Sequence, residues 1–366
     1  MTDDPRKQQR WTKLLGLSSR PRPNVGATPA DVVHRDNKLR MLRYRPRPAG
    51  LVAGSPVLLV PSLINRHYVL DLMPGKSFVE HLVAQGHDVF CIDWGTPGDE
   101  DRFVTFDEIV DGMLGRALRA TTKLAGPLGE KGAHVLGYCM GGLMAAIHAA
   151  VRPTNVASLT AVAAPVRFHD EGLLSAWSNT RTLDLRALVD GCGNVPWQLM
   201  QSSFMLLRPT LSASKVVHLI DKAWDDEYVD GFFALDAWGN DNVSFPGEAY
   251  VRYIQELYRE ERLLAGTFAL SGRPVHLSRV VAPTLAITFQ HDDIVPFESA
   301  RVLLDHVGAT RKEWLHLQGG HVGAMVSRAA SRGLWPQISA WFRSVDGERA
   351  AEPVATSRAA RRRARA

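Results

Sequence analysis

The fold is decided by His134-Val-Leu-Gly-Tyr-Cys-Met-Gly-Gly-Leu143, in which an apolar strand pattern runs into G-x-C-x-G and then into a helix of small residues. In such a segment the reactive residue occupies a strained strand-to-helix turn, and small neighbours let the strand and the helix approach closely. Gly137, Gly141 and Gly142 provide that room. The sequence therefore predicts a turn that presents the thiol of Cys139 above the carboxyl edge of a sheet.

Cys139 is predicted to be a nucleophile. It comes immediately before a helix N-terminus, whose partial positive charge favours a thiolate. The N–H of the next residue, Met140, would form half of an oxyanion hole. A free cysteine is more often a small buried apolar residue, and this is the prediction for Cys91, in an apolar strand, and for Cys192, which has no such turn. Three widely spaced cysteines form neither a disulfide framework nor a metal-binding pattern.

Strands alternate with helices on both sides of this turn. The pattern predicts strands at 55–61, 88–93, 133–136, 156–164, 284–289 and 313–317, and helices at 77–85, 106–124, 141–150, 298–304 and 331–342. Such alternation is typical of a mainly parallel sheet with helices on both faces. From 167 to 271 the alternation stops, and aromatic residues occur among helical segments. Together with the strand-to-helix turn, this predicts an α/β-hydrolase fold with an inserted helical cap.

The chain is predicted to have four parts. They are a flexible basic arm at 1–48, a core at 49–166 and 272–345, a cap subdomain at 167–271, and a disordered Arg-rich tail at 346–366. The formal net charge is +5, but the basic residues are concentrated in the arm and the tail, and the rest of the chain is acidic. We therefore expect no nucleic acid partner for the folded core, and any contact with a polyanion would involve the ends of the chain.

A base and an acid follow the nucleophile in the order that this fold requires, each on a loop after a late strand. The segment Gln318-Gly-Gly-His-Val-Gly323 places His321 in a Gly-rich loop, where it could take the thiol proton and later return one. The segment Gln290-His-Asp-Asp-Ile-Val-Pro296 offers two acids to orient the imidazole, Asp292 and Asp293. Spacing alone leaves both open, although chain order favours Asp292.

Five motifs occur in an order that resembles a known family. They are Ile64-Asn-Arg-His-Tyr-Val-Leu-Asp-Leu-Met-Pro-Gly-Lys-Ser77, Asp93-Trp-Gly-Thr-Pro97, Gly137-Tyr-Cys-Met-Gly141, Asp292-Asp-Ile-Val-Pro296 and Gly319-Gly-His321. Over most of residues 56–342 the chain is similar to the polyhydroxyalkanoate synthases, whose lipase box carries Cys in place of Ser. The resemblance favours Asp292 over Asp293, because the family's D-x-I-V-P pattern begins at Asp292.

The resemblance implies a reaction and partners. The acyl group of an (R)-3-hydroxyacyl-CoA would pass to Cys139, CoA would leave, and a hydroxyl would attack to extend a polyester, with His321 serving both steps. A second oxyanion donor is expected at the backbone N–H of Leu63 or Ile64, after the first predicted strand. The chain length resembles that of the short catalytic subunits, which implies a second, dissimilar subunit. The cap is similar to the family's region of dimer contacts, which implies a homodimer.

Two other functions are compatible with the same sequence. A thioesterase or polyester depolymerase of this fold would use the same three residues, and a non-catalytic granule-associated or partner-binding protein would keep the fold alone. No phosphate-binding loop, dinucleotide fingerprint or metal-ligand cluster stands out, so we expect no cofactor and no metal. The longest apolar runs are far too short to span a bilayer. The expected location is the cytoplasm, at polyester granules if the chain is a synthase.

Overall fold

An eight-stranded sheet forms the centre of the protein. We describe it from a computed structural model, in residues 13–45, 54–180, 182–207, 209 and 211–351. The strands are β1 (Ala30–Asp36), β2 (Leu39–Tyr44), β3 (Val57–Val60), β4 (Val89–Asp93), β5 (Ala133–Tyr138), β6 (Val156–Val162), the short pair β7 (Ala269–Leu270) and β8 (Arg273–Pro274), which lies apart, β9 (Thr284–Phe289) and β10 (Lys312–Leu317). The sheet order is β1-β2-β4-β3-β5-β6-β9-β10, and neighbours from β4 to β10 are parallel.

Helices lie on both faces of the sheet. They are α1 (Phe78–Ala84), α2 (Leu114–Leu124), α3 (Met140–Val151), α4 (Leu173–Ser178), α5 (Leu185–Cys192), α6 (Trp197–Leu207), α7 (Leu211–Lys222), α8 (Asp226–Gly239), α9 (Gly247–Arg252), α10 (Phe297–Arg301), α11 (Leu303–His306), α12 (Gly323–Val326), α13 (Arg328–Arg332) and α14 (Leu334–Ala351). Two π-helical segments, Glu108–Met113 and Tyr253–Arg259, adjoin α2 and α9. Across the described ranges, we find no helix whose length and apolarity would let it span a membrane.

The central strands are buried on both sides, which explains their continuous apolar sequences. Leu58 packs in the core cluster that includes residues of α2 and α3, whereas its neighbour Leu59 packs in the opposite cluster with residues of α1 and α14. The predicted α/β fold, mainly parallel and covered on both faces, is confirmed. Between β6 and β9 the chain forms α4 to α9, in the stretch predicted to be a cap. The exact domain limits at 167 and 271 stay predictions.

The prediction of a flexible arm at 1–48 is wrong for residues 30–44. There β1 and β2 form an antiparallel hairpin, and β2 pairs with β4, which extends the sheet. Two basic side chains of β2 bind buried carboxylates instead of water: Arg40 Nε donates to Asp93 Oδ2 at 2.9 Å, and Arg43 Nη2 to Asp88 Oδ2 at 2.9 Å. Residues 1–12 and 46–48 of the predicted arm lie outside the described residues.

The prediction of a disordered tail at 346–366 is wrong for its first part, because α14 continues to Ala351. Asp346 connects this part of the helix to the sheet. Its carboxylate accepts hydrogen bonds from the N–H and the hydroxyl of Ser55, at 3.0 and 2.8 Å, and from His134 Nε2 at 3.2 Å. The Arg-rich run beyond Ala351 lies outside the described residues.

Candidate active site

Cys139 lies in a strained turn between β5 and α3. Its backbone has φ 56° and ψ −128°, a conformation that residues other than glycine rarely adopt. The turn is held to the next strand, because the N–H of Cys139 donates to the carbonyl oxygen of Val162 at 2.8 Å. The thiol is free and only partly buried. The side chain is therefore presented at the carboxyl edge of the sheet, as the sequence predicts.

The glycines of this turn are required by its packing. A Cβ atom on Gly141 would lie 1.9 Å from the carbonyl oxygen of Val60, at the end of β3. A Cβ atom on Gly137 would lie 2.3 Å from the Cα atom of Gly142. Real Cβ atoms do not approach other atoms so closely, so any larger residue would push α3 away from the sheet. The G-x-C-x-G pattern therefore follows from the close approach of the helix to two strands.

The structure brings His321 and Asp292 together. His321 Nδ1 and Asp292 Oδ2 are 2.7 Å apart, and the carboxylate is fully buried. The other oxygen, Oδ1, accepts hydrogen bonds from the N–H groups of Ile294 and Val295, at 3.0 and 2.8 Å. Asp293, the competing acid, is exposed at the surface. Of the two acids that spacing left open, Asp292 is thus the one placed to orient the imidazole.

His321 also reaches Cys139. Burial alone lowers the pKa of His321, but the negative charge of Asp292, the proximity of Cys139 and the hydrogen bond with Asp292 raise it to about 10. Because Asp292 occupies Nδ1, the remaining nitrogen Nε2 is the one available to the thiol. A raised pKa favours the imidazolium form of His321, which can donate a proton. The arrangement can therefore support acid–base chemistry at the Cys139 sulfur.

Tyr138 is a further neighbour of this site that sequence reasoning missed. Its hydroxyl donates to the carbonyl oxygen of His321 at 3.1 Å, and the two rings lie 5.3 Å apart. Burial raises the pKa of Tyr138, so the hydroxyl stays a donor. This side chain fixes the backbone of the loop that carries the imidazole. Tyr138 is the variable residue before Cys139 in the G-x-C-x-G pattern, so the motif gave no signal for its role.

Two cavities meet at Cys139. The first, which we call the apolar cavity, has a volume of about 170 Å³ and is bordered mainly by aliphatic and aromatic side chains, among them Met140, Leu174, Trp177, Phe204, Phe245 and Ile254. The second, which we call the His321 cavity, has a volume of about 420 Å³ and includes more polar side chains, among them Asn65, Gln201, Lys215, Asp236 and His321. Helices α6 to α8 and the π-helical segment after α9 contribute to these linings, so part of the predicted cap covers the nucleophile.

The predicted oxyanion donors lie in different places. Met140 and Ile64 both border the apolar cavity beside Cys139. Leu63 instead borders a separate small cavity with Leu39 and Trp94. The loop after β3 is close to the turn, because a Cβ atom on Gly141 would also meet the carbonyl oxygen of Pro61 at 2.7 Å. The structure therefore places Ile64, and not Leu63, at the apolar cavity beside Cys139, and the identity of the second donor stays a prediction.

Two protein-family models match the chain. The first, described as alpha/beta hydrolase fold, matches residues 55–327. The second, described as poly-beta-hydroxybutyrate polymerase (PhaC) N-terminus, matches residues 22–82. The second match includes β1 and β2, the hairpin within the stretch that composition assigns to an arm.

Curated relatives and solved structures agree with these matches. The chain is 33% identical over 321 residues to the poly(3-hydroxyalkanoate) polymerase subunit PhaC of Haloferax mediterranei, with 87% of this chain and 64% of that protein covered. It is 32% identical over 322 residues to the protein of the same name in Allochromatium vinosum, with 87% and 89% covered. A soluble variant of monoglyceride lipase from Saccharomyces cerevisiae has a similar fold, with a TM-score of 0.57, 11% identity, and 89% and 99% covered.

Proposed function

This chain belongs to the poly(3-hydroxyalkanoate) polymerase (PhaC) family, and from that premise we propose that it polymerises (R)-3-hydroxyacyl-CoA into a polyester with release of CoA. The single observation that carries the mechanism is the position of Cys139, strained at the start of α3 and within reach of the buried pair formed by His321 and Asp292. Support for the polymerase activity comes from the similarity to a relative of nearly the same extent, of which the chain covers 89%.

In the first step of the proposed reaction, the Cys139 thiolate attacks the thioester carbonyl of the substrate. The negative charge that develops on the carbonyl oxygen is stabilised by the N–H groups of Met140 and Ile64. The carbon–sulfur bond to CoA breaks, and the leaving thiolate takes the proton of the His321 imidazolium. The products are free CoA and an acyl group bound to Cys139 as a thioester.

In the second step a hydroxyl group attacks the acyl group on Cys139. His321, now neutral, accepts the proton of that hydroxyl, and Asp292 stabilises the imidazolium that forms. The bond to the Cys139 sulfur breaks, an ester forms, and the thiolate and imidazolium are restored. A thiol suits this sequence, because exchange between two thioesters is nearly balanced in energy and the acyl thioester is a better donor to a hydroxyl than a serine ester.

Hydrolysis is the competing outcome, since water could attack the same acyl group. A thioesterase or a depolymerase with these three residues would give this result. Cap helices that border both cavities limit the access of water, and exclusion of water favours transfer to a hydroxyl. Retention of Cys rather than Ser in the turn also favours acyl transfer.

The proposal is tested by incubating the protein with 3-hydroxybutyryl-CoA and measuring CoA release, polymer, free acid and the mass of the intact chain. We expect CoA release, polymer and an acyl adduct on Cys139. Cys139→Ala should lose all three, whereas Cys192→Ala, the matched change at an exposed free cysteine, should behave like wild type. Free 3-hydroxybutyrate without polymer would instead show a hydrolase. Complete lack of an adduct in wild type would show a non-catalytic protein.

The partners and the location are part of the proposal. Relatives are named as polymerase subunits, which supports a second subunit. Helices α6 and α7 expose several large apolar side chains, namely Leu199, Met205, Leu206, Val216 and Val217. Exposed apolar groups of this kind support association with a partner subunit or a second copy. Because the product would be an apolar polyester, we place the enzyme in the cytoplasm at the surface of polyester granules.

A further inference from the structure

Ser62 carries a buried hydroxyl group next to the proposed nucleophile. It follows β3 and Pro61, only 3% of its surface is exposed, and it borders the apolar cavity together with Cys139. The loop is fixed, because Trp94 Nε1 donates to the carbonyl oxygen of Pro61 at 3.0 Å. Within the described residues, the Ser62 hydroxyl has no hydrogen-bond partner. Buried hydroxyl groups are nearly always paired, so this one calls for a partner that the protein does not supply.

The apolar cavity has the size of a short acyl group. A cavity of about 150 Å³ lined by apolar side chains holds one benzene molecule, which has six non-hydrogen atoms. A 3-hydroxybutanoyl group also has six, and the apolar cavity measures about 170 Å³. The His321 cavity is larger and includes the charged side chains of Lys215 and Asp236, which suits the CoA portion better than the acyl chain. An acyl group on Cys139 would therefore extend into the apolar cavity.

A 3-hydroxyacyl group would bring an unpaired oxygen atom into this cavity. Its carbonyl oxygen is bound by the oxyanion donors, but the oxygen on C3 would lie among apolar side chains. Burying a hydroxyl group without a hydrogen bond costs free energy. A hydrogen bond between the substrate oxygen and a protein hydroxyl in the same cavity would offset this cost for both groups. Ser62 lies two residues before Ile64, the proposed oxyanion donor on the same loop. With no partner to hold it, its hydroxyl can rotate about χ1 towards the cavity.

We propose that the Ser62 hydroxyl binds the C3 oxygen of the acyl group and makes the site selective for 3-hydroxyacyl over plain acyl thioesters. This inference rests on the proposed function, because it requires an acyl group on Cys139. Three other hydroxyls of the apolar cavity, those of Ser203, Tyr253 and Tyr258, are already engaged. Ser203 Oγ donates to the carbonyl oxygen of Leu199 at 3.0 Å, and the hydroxyls of Tyr253 and Tyr258 bind each other.

The test compares two substrates that differ only in the C3 oxygen, 3-hydroxybutyryl-CoA and butyryl-CoA. The rate of formation of the Cys139 adduct is followed by mass spectrometry and by CoA release, for wild type, Ser62→Ala and Ser202→Ala. Ser62→Ala should slow acylation by 3-hydroxybutyryl-CoA about tenfold, the effect of one hydrogen bond. It should leave acylation by butyryl-CoA unchanged. Ser202→Ala, a matched change at an exposed serine of α6 whose hydroxyl donates to the carbonyl oxygen of Gln198 at 2.8 Å, should alter neither rate.

The ratio of the two rates within one variant does not depend on the folded fraction, so partial unfolding cannot imitate the expected result. Equal losses with both substrates would overturn the proposal and assign Ser62 a structural or oxyanion role. Unchanged rates with both would overturn it as well. Lack of an adduct in wild type with either substrate would overturn the proposed function itself, which distinguishes that failure from a failure of this inference.

Discussion

Asp292 and Asp293 offer a test of the proposed site at the scale of single residues, because they are adjacent and chemically identical. Asp292→Asn should lower the rate of CoA release about a thousandfold or more, since the imidazole loses both its orientation and the charge that stabilises its protonated form. Asp293→Asn should stay within about threefold of wild type, because the Asp293 side chain is exposed. Steady-state rates with 3-hydroxybutyryl-CoA give the comparison. Similar losses in the two variants would contradict the assignment of Asp292.

The same pair of variants should differ in pH dependence. Asp292 is a main cause of the raised pKa of His321, so removal of its charge should lower that pKa. The imidazolium form would then be lost at a lower pH, and the alkaline side of the rate profile of Asp292→Asn should shift towards neutral pH. Asp293→Asn should keep the wild-type profile. This shift separates loss of the proposed acid from general damage, which would lower the rate without moving the profile.

At the level of residues, the sequence predicts the chemistry of the candidate site better than its surroundings. The sequence predicts Cys139, His321 and Asp292 because each follows a strand and chain order in this fold restricts the choice. The structure brings them together, and their catalytic roles stay a proposal. Ser62 and Tyr138 were not found. The Ser62 hydroxyl is of interest because it lacks a hydrogen-bond partner, and Tyr138 because its hydroxyl reaches the carbonyl oxygen of His321. Both features depend on distances between residues far apart in sequence, and such distances leave no pattern along a single chain.

The turn that carries Cys139 gives a prediction for an element. Gly141→Ala would place a Cβ atom 1.9 Å from the carbonyl oxygen of Val60, so α3 must move away from β3. We expect a loss of about 1–3 kcal/mol or more in the free energy of unfolding, and a loss of activity because the N–H of Met140 moves with the helix. Denaturant unfolding and CoA release measure the two effects.

A second glycine provides the control for this change. At Gly191, in α5, a Cβ atom would have no other atom within 4 Å, and the backbone φ is not positive. Gly191→Ala should therefore be neutral, or stabilising by up to about 1 kcal/mol through helix propensity. If Gly141→Ala were as stable and as active as Gly191→Ala, close packing of α3 on β3 would not be the reason for glycine in the turn.

The N-terminal hairpin shows why one element was missed. Composition over residues 1–48 is basic and rich in proline, and this average obscured the short segments 30–36 and 39–44. A local signal was present, because Asn37 occupies a positive φ of 53° in the turn, as asparagine often does in hairpins. The basic charges of β2 then bind Asp88 and Asp93. Asp93 ends β4 and Asp88 lies immediately before it, far from β2 in sequence, so this pairing could not be predicted from a charge count.

At the scale of the whole molecule, Asp346 connects three distant parts of the chain. It lies on α14, and it accepts hydrogen bonds from Ser55, just before β3, and from His134, at the start of β5. His134 in turn is hydrogen-bonded to Ser158 of β6 at 2.8 Å and stacks on Phe342 at 4.6 Å. This cluster is at the opposite end of the parallel strands from Cys139. It therefore holds the last helix against the sheet without taking part in the proposed chemistry.

Asp346→Ala should lower the free energy of unfolding near neutral pH by about 1.5–3 kcal/mol, because it leaves buried donors without a charged acceptor. Glu348→Ala, the control on the same helix, should cost at most about 1 kcal/mol, because the Glu348 side chain is 61% exposed and water screens its ion pair with Arg311.

Burial opposes the charge of Asp346, but the hydrogen bonds from His134 and Ser55 outweigh it and lower its pKa. A lowered pKa in the folded state means that the stabilisation is present above about pH 4 and is lost as the pH falls through the folded value. Denaturant unfolding of wild type and Asp346→Ala at several pH values should show their difference shrinking in acid, and a difference that stays constant would contradict a stabilising role for this charge.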